Sequence, residues 1–149
     1  PAALAQLRAA LIDPGVVGGG LTLRFDRRSP GLDYLAAASN VRARRLRWIF
    51  GDQTMFVRRS VLQALGGFPD LPIMEDLELS RRLARIGRTV VLPACSTAST
   101  RRFDEHGTLR MLVFMQGLKL RYLAGADPAG LARRYSAGPR RFRFRATAR

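Results

Sequence analysis

The sequence predicts an α/β fold, on three observations. Segments with apolar residues at helical spacing alternate along the chain with short stretches of strand-like patterning. Gly and Pro punctuate most of the boundaries between them. The 149 residues are 47% hydrophobic, enough material for one domain with a core.

Residues 1–12 read as a helix, because Pro1 suits a first turn and Leu4, Leu7 and Leu11 recur at helical spacing before Asp13, Pro14 and Gly15. Residues 16–26 carry Gly18, Gly19 and Gly20, then alternate Leu21, Leu23 and Phe25 with Thr22, Arg24 and Asp26, which predicts a half-buried strand. A turn at 27–31 leads into a helix over 32–47, with Tyr34, Leu35, Ala38, Val41 and Leu46 as its apolar positions. Residues 49–52 are expected to form a loop and 54–57 a short strand. Ser60 is expected to cap a helix over 61–65 that Gly66 and Gly67 terminate. After an irregular stretch at 68–74, a strong helix is predicted over 75–86, ended by Gly87. Residues 89–92 read as an apolar strand stopped by Pro93, and 95–103 as extended. Two more helices are predicted over 108–123 and 128–135, followed at 136–149 by a basic tail with no core pattern.

The charge is lopsided: 26 Lys and Arg against 11 Asp and Glu give a net +15. Lys119 is the single lysine. The arginines gather at Arg42, Arg44, Arg45 and Arg47, at Arg58 and Arg59, at Arg101 and Arg102, and at Arg140, Arg141, Arg143 and Arg145. Such a surface attracts phosphates, anionic lipid or nucleic acid. No nucleic-acid recognition motif accompanies it, so nucleic acid is not the expected partner. The one cysteine, Cys95, excludes an intramolecular disulfide and a multi-cysteine zinc site and suits a cytoplasmic setting. It reads as a small packed residue rather than a nucleophile. No uncharged apolar run reaches the ~18 residues of a membrane span.

Two constellations could carry chemistry. In the helix over 75–86, Leu79, Leu83 and Ile86 form one stripe, Glu78, Arg81 and Arg85 lie opposite, and Glu75 and Asp76 fall on the edges of the stripe. First-turn carboxylates complement the helix dipole. The same placement also suits a general base held ionised and oriented at a helix N-terminus. The second constellation is Gly51, Asp52 and Gln53, which reads either as a turn or as a loop whose side chains bind hydroxyl groups.

Three stretches together carry a family resemblance: Gly51-Asp52-Gln53-Thr54-Met55-Phe56-Val57-Arg58-Arg59, then Leu65-Gly66-Gly67-Phe68-Pro69, then Met74-Glu75-Asp76-Leu77-Glu78-Leu79-Ser80-Arg81-Arg82-Leu83. The chain resembles family-two glycosyltransferases of the GT-A fold, in particular the bacterial subgroup found beside radical-SAM and selenium-related genes. The resemblance covers nearly all of residues 1–135 and implies a Rossmann-like mixed sheet flanked by helices. It implies transfer, with inversion, of a sugar from a nucleotide-diphosphosugar donor to an acceptor hydroxyl, assisted by a divalent metal, Mg²⁺ or Mn²⁺. Asp76 then resembles the base that deprotonates the acceptor, and Glu75 a neighbour that shapes the acceptor site. Gly51, Asp52 and Gln53 resemble a donor-sugar or acceptor loop.

The chain departs from the family in one respect: it has no Asp-x-Asp motif to chelate metal and diphosphate. Its residues resemble the region that follows that motif. They are therefore expected to be a C-terminal, acceptor-side portion whose nucleotide-binding half lies upstream, inactive when isolated. By the same resemblance His106 is a candidate metal ligand, and Arg101 and Arg102 are candidate diphosphate contacts. The apolar helix over 108–123 and the tail rings Phe142 and Phe144 among arginines fit peripheral contact with the inner face of a membrane and a lipid-linked acceptor. The reading from another class is a non-catalytic Arg-rich module that binds polyanions, whether nucleic acid or anionic membrane.

Overall fold

The computed structural model describes residues 2–139, so the arginine and phenylalanine positions of the tail from Arg140 onward lie outside the described residues. The elements run α1 (Ala2–Ala10), β1 (Val16–Phe25), α2 (Pro30–Leu46), a 3-10 turn (Gly51–Gln53), β2 (Phe56–Val57), α3 (Arg59–Ala64), α4 (Glu75–Ile86), β3 (Arg88–Ala98), α5 (Arg101–His106), α6 (Thr108–Leu123) and α7 (Pro128–Ala137). The class is α/β, with a small mixed sheet of three strands flanked by helices.

The strand order is β2-β1-β3, with β1 antiparallel to β2 and parallel to β3. As the central strand, β1 is buried on both faces from Val16 to Leu21 rather than half-buried as its alternation predicts. The glycine run permits this. A Cβ on Gly18 would stand 2.6 Å from the Phe56 carbonyl oxygen, and one on Gly20 would stand 2.6 Å from Ile49 Cγ2. β2 and the loop after α2 can thus lie directly on the strand.

Pro93 does not stop β3. The register passes from Leu21 opposite Leu92 to Thr22 opposite Cys95, so Pro93 and Ala94 bulge out of an edge strand. There a missing N–H costs no ladder bond. The Ala94 N–H is taken instead by Gln6 of α1 at 2.8 Å. Cys95 is exposed, not packed. The extended reading of 101–103 also gives way: Phe103 and Asp104 N–H return to the Thr100 carbonyl and start α5, while Thr100 N–H is held by Asp26 at 3.0 Å. Phe103 meets Phe25 edge to face, with centroids 5.3 Å apart.

Ser60 lies inside α3 rather than at its cap. Arg58 takes the cap position because its guanidinium is committed elsewhere, donating to the carbonyls of Leu11, Asp13 and Val16. α4 forms where the sequence places it, but Ile86 is exposed and Leu77 is fully buried in its stead. The helix lies between two apolar clusters, Met74, Leu77, Leu118 and Leu131 on one side and Val17, Leu79 and Leu83 on the other. A helix covered on two sides buries a wider arc than one stripe, and Asp76 falls within that arc.

Candidate functional site

The site is assembled by the loop between α2 and β2 meeting the N-terminus of α4. Three buried polar side chains fix the loop. Ser80 Oγ donates to the Ile49 carbonyl at 2.5 Å and accepts the Ile49 N–H at 3.0 Å. Asn40 pairs with both backbone groups of Leu23, at 2.8 and 3.0 Å, tying α2 to β1. Gln53 is fully buried, and its amide is shared among the Leu21 carbonyl, Asn40 and Arg42. Gln53 was expected to bind hydroxyl groups of a ligand. Its side chain instead holds the loop onto β1, which leaves Asp52 as the loop's exposed acid.

Backbone strain concentrates here. Among the described residues, the non-glycine residues at positive φ are Arg47 at 58°, Thr54 at 48° and Met74 at 65°. The first two bracket the loop and the third precedes Glu75. Each such conformation costs of the order of 1–3 kcal/mol and persists only where the surroundings impose it, and such outliers cluster at functional sites. The loop is imposed partly by β3, where Ser96 donates to the Asp52 carbonyl at 2.7 Å and receives Thr54 Oγ1 at 2.8 Å.

Asp76 is clasped by this arrangement. Its Oδ2 accepts the Gly51 N–H at 2.8 Å and its Oδ1 accepts the Leu77 N–H at 2.7 Å. Each oxygen keeps a free lone pair. Asp76, Glu75 and Asp52 line one cleft of about 440 Å³ together with Arg42, Phe50, Arg102 and Lys119. The Arg42 guanidinium lies 3.9 Å from the Phe50 ring centre and the Lys119 ammonium 5.0 Å from it, so two cations share one aromatic ring.

The charges are coupled. Desolvation raises the Asp52 pKa, Arg42 opposes the rise, and Asp76 adds to it. Asp52 still reaches solvent at the mouth of the cleft, so this is a wet site in which protein displaces only part of the water. Lys119 moves furthest, down to about 8: burial and Arg42 disfavour its proton, and Asp52 and Asp76 only partly offset them. As the single lysine, it gives one resonance after ¹³Cε-lysine labelling, and that resonance is expected to titrate with a midpoint near 8. A midpoint near the ordinary ~10.4 would remove Lys119 from the charged cluster. Between the two values the unfolded chain binds a proton that the folded chain does not. Lys119 therefore makes stability rise as pH climbs from about 8 toward 10.5, and Lys119→Met is expected to abolish that slope.

Of the remaining candidates, Arg102 lines the cleft and stacks its guanidinium 4.2 Å over the Tyr135 ring. Arg101 and His106 do not reach it. They line an adjoining hollow of about 400 Å³ that shares Arg102, Met111 and Tyr135 with the cleft, and there His106 lies 3.8 Å from Glu105. His106 thus lies outside the cleft that holds Glu75 and Asp76. Among the described residues no three His, Cys, Asp or Glu side chains converge as a metal group. The donors present do not by themselves fit the divalent ion that the resemblance implies.

Arg42, Ser80, Asn40 and Lys119 were missed as site or supporting residues. In the sequence Arg42 reads as one of a basic cluster and Lys119 only as the single lysine. For Arg42 the clue was a charge among the apolar positions of its helix; Asn40 carries no such clue, because Tyr34, Val41 and Leu46, which define the predicted face, are exposed and α2 buries Leu32, Leu35, Asn40 and Ala43 instead.

An α/β chain with an acid-and-base-lined cleft at a helix N-terminus is the class that fold and site define. No protein-family model, no curated protein and no solved structure matches the chain.

Proposed function

We propose that the cleft is the acceptor side of an inverting glycosyltransferase of the GT-A type. The observation that carries this reading is the Asp76 carboxylate, clasped by two backbone N–H groups with lone pairs left over, at one end of a cleft large enough for a small molecule. In the reaction, Asp76 takes the proton of the acceptor hydroxyl as its oxygen forms a bond to the anomeric carbon of the sugar. The bond from that carbon to the phosphate oxygen breaks, and its electron pair leaves with the nucleoside diphosphate. Glu75 shapes the acceptor position, Asp52 faces the substrate from the loop, and Gly51 holds the Asp76 carboxylate through its N–H. Arg42, Lys119 and Arg102 bring positive charge to the cleft, which offsets the negative charge that develops as the diphosphate leaves. The nucleotide-binding half and its metal are assigned to upstream sequence.

The experiment is a screen of the intact gene product against nucleotide-diphosphosugars, with mass-spectrometric detection of acceptor-dependent nucleoside diphosphate. Release with at least one donor is expected. Absence of release across donors, with an alcohol acceptor present, would overturn the reading.

A peripheral position at the inner face of a membrane belongs to the same proposal. No helix of the described residues is long and apolar enough to cross a bilayer. What favours contact is the outer face of α6, where Leu109, Val113 and Leu120 are 73%, 63% and 67% exposed along one helical stripe. Replacing all three by Ser is expected to leave the melting temperature nearly unchanged and to cut co-sedimentation with vesicles containing phosphatidylglycerol about tenfold. Unchanged co-sedimentation would take α6 out of the contact.

A further inference from the structure

Resting on the assignment of Asp76 as the acceptor-side base, we propose that the acceptor is a hydrophobic alcohol rather than a free sugar. The apolar lining of the cleft is extensive. Arg42, Asp52, Asp76 and Lys119 gather around Phe50, and Glu75 and Arg102 add charge, whereas Leu23, Phe25, Leu35, Phe103, Met111 and Met115 supply much of the remaining wall. A sugar buried against that wall would leave most of its hydroxyls without partners, each at the full cost of its desolvation. An apolar body loses nothing there and gains from leaving water. Its hydroxyl is then drawn to the carboxylates, where Asp76 holds free lone pairs. The volume of about 440 Å³ accommodates a body larger than a single sugar ring. Methionines on two sides, Met74 from the start of α4 and Met111 and Met115 from α6, give the wall an unbranched lining that adapts to an irregular apolar shape.

The same methionines report on the proposal without any need for activity. The chain has four, and Met55 packs away from the cleft against the Val17, Leu79 and Leu83 cluster. In protein labelled with methyl-¹³C methionine, decan-1-ol is expected to shift the signals of Met74, Met111 and Met115 and to leave Met55 unmoved. Methyl glucoside is expected to shift none of the four. The methyl ether of decanol, which cannot donate a proton, is expected to bind about tenfold more weakly than the alcohol. Asp76→Asn should reduce that preference, and Ser39→Trp, which fills the cleft from α2, should abolish the shifts, the unchanged Met55 signal serving as the check on folding. Shifts with methyl glucoside but not decanol, shifts of all four methyls together, or none at all would overturn the proposal. Failure of sugar transfer with decanol bound in the cleft would instead overturn the glycosyltransferase reading and leave the ligand class standing.

Discussion

Asp76→Asn is expected to lower the transfer rate of the intact enzyme by roughly 10²- to 10⁴-fold while changing donor affinity little, the loss typical of removing a general base. The change keeps the volume of the side chain and removes its ability to accept the acceptor proton. It also sets an NH₂ against one of the two N–H groups that now donate to the carboxylate, from Gly51 or Leu77. That lost bond is worth only about 1 kcal/mol, too little to explain a thousandfold loss in rate through unfolding. Rate, donor affinity and melting temperature measured on the same variant separate the two effects. A rate within a few-fold of the parent would remove Asp76 from the chemistry.

Leu77→Ala is expected to cost 2–5 kcal/mol, read as a lower urea midpoint at unchanged slope. Leu77 is fully buried among Met74, Leu118 and Leu131, so the deletion opens a cavity where α4 meets α6 and α7. Its position also sets the aim of the preceding carboxylate. The Leu77 N–H holds Asp76 Oδ1, and the Leu77 side chain fixes the rotation of α4 in its seat. Relaxation around the cavity should therefore reduce transfer more than an equally destabilising change remote from the cleft. Leu83→Ala, in the opposite cluster, is the matching control. Equal losses of activity for equal losses of stability would deny Leu77 any part in aiming the base.

Asp76 and Leu77 divide what the sequence makes legible from what it does not: Asp76 falls where the helical spacing puts it, whereas Leu77 lies outside the predicted stripe and is buried only because α6 and α7 cover it. The boundaries of α4, the inward placement of Glu75 and Asp76, and the α/β alternation follow from local spacing and from Gly87 as a stop. Such features depend on neighbours along the chain. Residues whose role depends on distant chain were not legible. Gln53 looks like any polar loop residue until β1 and α2 close over it, and Lys119 until Arg42 arrives 77 positions earlier in sequence to share Phe50. Pro93 reads as a strand end because only the register against β1 reveals that β3 bulges around it. His106 has the opposite fault: chain proximity to Arg101 and Arg102 groups the three, and α5 then separates His106 and Arg101 from the acidic end.

The central claim, one displacement assisted by one carboxylate, is tested most directly by the configuration of the product. A proton NMR spectrum of the glycoside formed with the acceptor alcohol, whose configuration is stable once made, reads the coupling of its anomeric proton. The account predicts the configuration opposite to that of the donor, with Asp76 in place and with an acceptor alcohol in the cleft. A product that retains the configuration of the donor would require a second displacement or an ion-pair route, and would contradict it.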